Sequence, residues 1–125
     1  MSRSIDFTTL RTILYNDGTG TTGTVTLTES AANFRRLRIY YKNNTGGHQS
    51  VDVISPNNMY VDLTTIQKDN SGQSTKAYGQ ISRKLISGNS ITTISYEEFN
   101  INNTNICGVS NSNYIFITRV EGWAV

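Results

Sequence analysis

The only histidine is the first candidate for chemistry, because nucleophilic catalysis by serine or cysteine needs a base within hydrogen-bond reach. His48 follows the turn-forming stretch 43–47, so a catalytic triad would depend on one residue in a turn. We favour the alternative interpretation, a polar turn residue. Cys107 lies between Ile106 and Gly108, with no cation near it in the sequence that would favour the thiolate. The sequence therefore predicts no catalytic residue and a protein that is not an enzyme.

The acidic residues offer two further kinds of site, a glycosidase pair and a metal site. Glu97 and Glu98 are neighbours, and neighbouring side chains of a strand point to opposite faces, so this pair cannot converge on one glycosidic bond. Asp52 and Asp62 lie on different predicted strands, and their spacing does not resemble a calcium loop. A single cysteine can form neither an internal disulfide nor a cysteine-based metal site. We predict no metal and no cofactor.

Aromatic and amide side chains in two turns suggest a sugar-binding role. Ring faces can stack on the apolar face of a pyranose, while amides bind its hydroxyl groups. The candidate glycan-binding residues flank one predicted strand and are His48, Gln49, Asn57, Asn58 and Tyr60. Packing in the core is the alternative for the tyrosine. If a glycan is bound, we expect loops rather than strand faces to hold it.

The basic residues raise the question of a nucleic-acid partner. Arg35, Arg36 and Arg38 with Tyr40 could form a basic and aromatic surface for single-stranded nucleic acid, although charges on one face of a strand are more often simply solvated. The chain has 11 basic and 9 acidic residues, and this net charge of +2 is too even to indicate a polyanion. The glycines of stretch 18–23 precede neither a lysine nor a helix, so they do not form a phosphate-binding loop. We expect no nucleic-acid partner.

The composition limits the fold that must position these residues. The 125 residues include 17 threonines, 14 asparagines and 13 serines, which are poor helix formers, so a coiled coil or helical bundle is excluded. Apolar residues make up 36%, enough for a folded chain. No apolar run has the length of a signal peptide or a membrane span, so we expect synthesis in the cytoplasm and no membrane insertion. One domain is expected over residues 1–125, with 1–7 as a short lead-in.

Alternating polar and apolar residues separated by turn clusters predict a chain that is almost all β. The clearest strand is 35–42, in which Leu37, Ile39 and Tyr41 face the core. Gly88-Asn89 predicts a type II′ hairpin turn, and Gly79 suggests a bulge in a strand that has Ala77, Ile81 and Leu85 on one side. Loops are predicted at 16–23 and 67–73, and an irregular segment at 100–108. The predicted strands are 8–15, 24–28, 35–42, 50–54, 60–63, 75–87, 91–99 and 114–121.

Seven or eight such strands without a convincing helix predict an antiparallel β-sandwich, jelly-roll-like in character. The last strand, 114–121, is apolar on both faces, which indicates a central strand or one that faces a partner. Surplus apolar surface on a soluble domain commonly marks a subunit interface. We therefore predict a homo-oligomer whose interface residues are Tyr114, Phe116, Trp123 and Val125.

Four segments carry a resemblance to a known class of proteins. They are 23–30 with 33–34, 37–43, 86–92 and 114–123, and their order and spacing cover nearly the whole chain. Together they resemble the head-domain module of bacteriophage tail fibres and receptor-binding proteins. The resemblance implies a β-sandwich at the distal end of a tail or fibre, commonly trimeric, that binds a bacterial surface glycan or acts as an assembly module. Such modules usually end longer chains that carry a stalk, whereas here Met1 almost begins the module.

The prediction from this resemblance is a non-enzymatic virion protein of the tail tip or fibre that recognises a host-surface polysaccharide. The alternative is a stand-alone structural or assembly protein of the virion, decorating the head or tail without binding a receptor. Other virion proteins and a trimer of the chain itself are the partners that the resemblance implies. A nucleic-acid-binding β-barrel and a glycan-degrading depolymerase are the hypotheses from other classes.

Overall fold

The computed structural model describes residues 10–68, 77–101 and 106–125, so the predicted lead-in 1–7 and most of the loop 67–73 lie outside the described residues. In the described part, antiparallel strands account for nearly the whole chain, and one 3-10 turn, Ala31–Asn33, lies between β2 and β3. The strands are β1 Arg11–Thr21, β2 Val25–Thr26, β3 Arg36–Lys42, β4 His48–Ile54, β5 Met59–Lys68, β6 Ala77–Ser87, β7 Ser90–Ile101, β8 Ile106–Ser110 and β9 Phe116–Trp123.

These strands form two antiparallel sheets, which confirms the predicted all-β sandwich. Sheet A has the strand order β1-β9-β3-β4, and sheet B has the order β2-β7-β6-β5, with β8 also paired to β7. The first strand pairs with the last, whereas the middle of the chain forms the successive hairpins β3–β4, β5–β6 and β6–β7. β9 is a central strand of sheet A, and a register shift against β3 lets Ile117 and Val120, three residues apart, both be buried in the core.

The core lies between the inner faces of the two sheets. On β3 the side chains of Leu37, Ile39 and Tyr41 are buried, as the alternation predicted, because every second residue of a strand points to the same face. Val53 and Val120 pack in the same cluster from β4 and β9. The opposite side of β3 carries its charged residues, so sheet A has one apolar face and one polar face.

The first strand is longer than predicted, because it continues through the stretch that was expected to be a loop from residue 16. Register shifts against β9 absorb the extra residues. Gly20 has a φ of 88°, and a side chain there would begin 2.7 Å from Cβ of Phe116. Glycine is therefore required at this position by both its backbone angle and its close neighbour.

The inner face of β6 is polar, in contrast to the apolar alternation on its other side. Ala77, Ile81 and Leu85 do share one face, but that face points outward and each residue is half-buried. The inner face carries Gln80, Ser82, Lys84 and Ile86, of which Gln80 is 2% exposed and the other three are fully buried.

Gly79 does not form the predicted bulge. It pairs in regular register with Ile66 and Phe99, and the register shift between β6 and β7 lies at Arg83 and Lys84. The ring of Phe99 occupies the space that a side chain at position 79 would need. Glycine is therefore used here for close approach, not to change the strand register.

The hairpin turn at Gly88-Asn89 is confirmed, and it organises one end of the sandwich. Gly88 has a φ of 57°, and Ser87 pairs with Ser90 across the turn. The carbonyl oxygens of Gly88 and Asn89 accept hydrogen bonds from the backbone of Ala31 and Leu27 at 2.7 Å each. The turn thus anchors the segment around β2.

At the other end of β7, the prediction of an irregular segment over 100–108 is corrected. Residues 106–110 form β8 against β7, while residues 102–105 lie outside the described part of the chain. Asparagine is depleted in strands, and for this reason the sequence pattern did not indicate the pairing.

Candidate functional site

The structure does not bring the five candidate glycan-binding residues together. His48 and Gln49 begin β4, whereas Asn57, Asn58 and Tyr60 follow its other end. A strand of seven residues is roughly 20 Å long at about 3.3 Å per residue. The candidates therefore form two separate groups at opposite ends of one strand.

Several of these side chains have structural partners within the chain. Oδ1 of Asn57 accepts a hydrogen bond from the backbone N–H of Gly88 at 2.9 Å, and Oδ1 of Asn58 accepts one from Ser87 Oγ at 3.3 Å. These two asparagines therefore brace the β6–β7 turn. Gln49 accepts a bond from the hydroxyl of Tyr41 at 3.1 Å.

The remaining two glycan candidates, His48 and Tyr60, are exposed. The guanidinium of Arg83 lies 5.3 Å from the centre of the Tyr60 ring. The tyrosine thus presents its ring outside the core, as a sugar platform would require.

The four candidate interface residues also differ from one another in exposure. Tyr114 and Phe116 are half-buried, and Val125 is exposed. Trp123 is only 5% exposed, because the guanidinium of Arg36 lies 4.1 Å from the centre of its ring and that of Arg38 lies 5.4 Å away. Its ring is therefore already covered by residues of its own chain.

The outer face of sheet A gathers most of the chain's arginines, and we call it the basic face. Strand register places Arg11 and Arg36 on either side of Trp123, Arg38 beside Glu121, and Arg119 beside Tyr40. Lys42 lies beside Phe116, and Asp52 lies on the other side of Arg38. Five basic residues and two carboxylates share this surface: Arg11, Arg36, Arg38, Lys42 and Arg119 with Asp52 and Glu121.

Glu121 is a buried carboxylate at the centre of the basic face, with 1% of the residue exposed. The hydroxyl of Tyr40 donates to its Oε1 at 2.7 Å, Arg119 donates to Oε2 through Nε at 3.2 Å and Nη2 at 2.9 Å, and Nη1 of Arg11 lies 3.2 Å from Oε2. Burial alone raises the pKa of Glu121, but the Tyr40 hydrogen bond and the two guanidiniums outweigh it and hold that pKa below its ordinary value. The carboxylate fixes three strands of sheet A together.

Asp52 holds a second part of the basic face. Arg38 donates to both of its oxygens, from Nε at 2.7 Å and Nη2 at 3.1 Å, in the bidentate geometry that suits a guanidinium and a carboxylate. The hydrogen bond from Arg38 lowers the pKa of Asp52 and raises that of Arg38. Nη1 of Arg36 is further away, 3.5 Å from Oδ2 of Asp52.

The outer face of sheet B differs in character, and we call it the apolar face. It carries exposed Tyr60, Ile66 and Ile94, which are 56%, 64% and 50% exposed. Between them, Nε of Arg83 donates to Oδ1 of Asp62 at 2.9 Å across β5 and β6. Exposed apolar residues grouped on one sheet face are typical of a contact surface.

Glu97 pairs with Ile81 and Glu98 with Gln80, so the two carboxylates lie on opposite faces of β7 as predicted. Among the described residues, no cluster of three or more histidine, cysteine or acidic residues could hold a metal ion. In the same ranges, none of the helices is long and apolar enough to cross a membrane.

Comparison with known proteins adds no relative to this description. A scan against models of known protein families finds no match, and a search of curated proteins finds none either.

Sequence analysis identified the basic residues of β3 but not the surface to which they belong. Arg36, Arg38 and Lys42 alternate with the core residues of one strand, which is a readable signal for a polar face. Glu121 and Arg119 come from the far end of the chain, and Trp123 was expected at a subunit interface. Only the pairing of β3 with β9 brings these residues together.

Proposed function

We propose that this chain is a non-catalytic attachment module of a bacteriophage tail tip or fibre, which binds a bacterial surface polysaccharide. The observation that carries the proposal is the basic face of sheet A, where arginines outnumber carboxylates on a surface fixed by strand pairing and by Glu121. A positive surface attracts the negatively charged polymers of a cell envelope and raises the rate of encounter. The resemblance of four segments to tail-fibre head domains supports the virion location.

A sheet face is a suitable support for this role because its side chains are held in register by the backbone. Arg38 is fixed by Asp52, and Arg11 and Arg119 by Glu121. Because these charges are held at fixed positions, their field steers an anionic polymer to the surface without side chains having to be ordered first. The absence of a convergent acid pair at Glu97 and Glu98 favours binding over depolymerisation.

Binding to isolated cell envelopes tests this function. The purified chain should co-sediment with insoluble envelopes of a susceptible species in a panel of bacteria, and the bound fraction should fall as salt rises from about 0.05 to 0.5 M, because salt screens the charges of the basic face. No reducing ends should be released. Lack of retention by every envelope would contradict attachment, and release of soluble sugar would indicate a depolymerase instead.

The apolar face of sheet B favours a second candidate function, assembly within the virion. Ile66 and Ile94 are exposed on this face and would be covered by a second subunit. A homo-oligomer fits both functions, since several weak glycan contacts around one axis gain avidity. The preference for a trimer comes from the resemblance.

Two matched variants separate the possible interfaces. If the apolar face associates, Ile66→Asp should convert the oligomer to a monomer, while Phe116→Asp should do so if the predicted interface around β9 is used. Light scattering at micromolar concentration gives the mass of each variant. A monomeric mass for the unmodified chain would contradict self-association at either surface.

A further inference from the structure

A pocket at one corner of the basic face has two arginines and no acidic side chain among its lining residues. It is an open cavity of about 440 Å³ lined by Arg35, Arg36, Ile54 and Val125. Arg36 begins β3, Arg35 directly precedes it, and Ile54 ends the neighbouring strand β4. The volume lies in the range of small-molecule sites, so a charged group of a polymer together with its neighbouring sugar can enter.

Arg36 is held by a ring contact and a long ion pair rather than by a close hydrogen bond. Its guanidinium lies 4.1 Å from the ring centre of the buried Trp123, and the distance to the nearest carboxylate oxygen, Oδ2 of Asp52, is 3.5 Å. Within the described residues its side chain donates no hydrogen bond, and it remains 33% exposed. A guanidinium stacked on an aromatic ring keeps its N–H edge available and oriented.

The other arginines of the basic face already bind carboxylates of the chain through their N–H groups. Arg38 makes two bonds to Asp52, and Arg119 makes two to Glu121, which Arg11 also contacts. A new anion would have to displace those carboxylates. At Arg36 it would compete with the longer ion pair to Asp52, at 3.5 Å, and Arg35 also lines the pocket.

We propose that this pocket binds the oxyanion, phosphate or carboxylate, of an anionic polymer of the bacterial surface. The inference rests on the proposed attachment function for the identity of the polymer, and on the pocket alone for the oxyanion. The planar fork of a guanidinium matches two oxygens of either group.

Single-stranded nucleic acid is the less favoured phosphate source. Its binding needs exposed rings on which bases stack, whereas here the Trp123 ring lies under Arg36 and the Tyr40 hydroxyl is bound to Glu121. An oligonucleotide therefore serves as one arm of the test.

Trp123 is the only tryptophan, and the guanidinium of Arg36 lies 4.1 Å from the centre of its ring. Its fluorescence therefore reports on ligand binding at Arg36. The full chain is titrated with poly(glycerol phosphate), alginate, neutral dextran, an oligothymidylate and inorganic phosphate. The test variant is Arg36→Gln, and Arg36→Lys keeps the charge without the fork. Arg83→Gln is the matched control, since Arg83 also lies over a ring but on the opposite sheet.

We expect one or both anionic glycopolymers to change the emission, and Arg36→Gln to weaken that binding about tenfold, the worth of one charge-assisted bidentate pair. Arg36→Lys should fall between Gln and the unmodified chain, and Arg83→Gln should change affinity less than twofold. Equal losses in Arg36→Gln and Arg83→Gln would overturn the site, because bulk charge would then explain binding. Tighter binding of the oligothymidylate than of either glycopolymer would overturn the choice of polymer.

The same data distinguish this inference from the attachment function. Envelope binding that is unchanged in Arg36→Gln would leave attachment in place and remove this pocket. A second outcome is that inorganic phosphate binds the unmodified chain but not Arg36→Gln, while neither polymer binds. That result would support the oxyanion site and contradict attachment to such polymers. If Arg36→Gln loses the circular-dichroism spectrum of the folded chain, Arg36→Lys takes its place as the test variant. An unchanged affinity of Arg36→Lys for the polymers would then overturn the proposal.

Discussion

Replacing Lys84 with methionine should raise the free energy of unfolding by about 2 kcal/mol at neutral pH. Lys84 is fully buried in the sandwich, where Nζ donates to Thr93 Oγ1 at 2.7 Å and to the carbonyl oxygen of Thr22 at 3.3 Å. No carboxylate accompanies it within the described residues, and burial lowers the pKa of the amine to about 8. Methionine fills a similar volume without a charge to desolvate.

The methionine variant leaves no orphaned acceptor behind. The carbonyl oxygen of Thr22 also accepts hydrogen bonds from Thr93 Oγ1 at 2.9 Å and from Asn113 Nδ2 at 3.0 Å. The difference between a pKa of 10.5 in the unfolded chain and about 8 in the fold corresponds to about 3 kcal/mol. Loss of the two lysine hydrogen bonds offsets part of this gain, so the expected net value is smaller.

The same pKa difference predicts how stability changes with pH. Between pH 8 and 10.5 the unfolded chain binds a proton at Lys84 that the folded chain has released, so the free energy of unfolding rises with pH in this window. The rise should be about 2 kcal/mol from pH 7.5 to 9.5. Above pH 10 a tyrosine opposes it, because burial raises the pKa of Tyr41 and the unfolded chain then loses its proton first.

Urea unfolding of the unmodified chain, Lys84→Met and Lys42→Met between pH 7.5 and 9.5 measures this effect. Lys42 lies on the basic face, where its Nζ contacts the carbonyl oxygen of Gly18, so its variant should keep the pH dependence of the unmodified chain. Lys84→Met should lose it. A flat profile for the unmodified chain, or a large destabilisation in Lys84→Met, would show that the buried amine does not carry the expected penalty.

The sequence was sufficient for the parts of the fold that depend on local pattern. The alternation in β3 and the Gly88-Asn89 turn are read within a few residues, and both were predicted correctly. The inner face of β6 shows where such patterns fail. Its apolar side faces outward, and polar Gln80 is buried because its amide contacts Thr65, Gln67 and Glu98 from the two adjacent strands. These hydrogen bonds offset the cost of burying the Gln80 amide. Because the partners lie on other strands, a local sequence pattern does not reveal them.

The candidate site was less accessible to sequence analysis, for a related reason. A net charge of +2 does not reveal how the charges are distributed, and the fold places five basic residues and two carboxylates on one face. Charge is distributed by strand order, and the order β1-β9-β3-β4 joins the two ends of the chain. The predicted glycan residues failed to converge because turns at the two ends of one strand lie far apart in space, however close they are in sequence.

Replacing Ile39 with aspartate should unfold the protein, and this is the largest effect that we expect. Ile39 is fully buried on the central part of β3 and pairs with Val51 and Val120 on the neighbouring strands. An aspartate there would meet only apolar side chains from these partners, and an unpaired buried charge costs several kcal/mol, comparable to the whole stability of a small domain. The carboxylate could escape only by separating the strands.

Two control variants separate the buried charge from the loss of packing and from charge alone. Ile39→Val removes one methylene and should cost about 1 kcal/mol, with the fold kept. Ser50→Asp places the same charge on the exposed side of β4, one residue from the partner of Ile39, and should change stability by less than about 0.5 kcal/mol. Far-ultraviolet circular dichroism and thermal unfolding give all three results. A cooperative transition for Ile39→Asp at the temperature of the unmodified chain would contradict the position of this side chain in the core, and with it the pairing of β3 and β9 that builds the basic face.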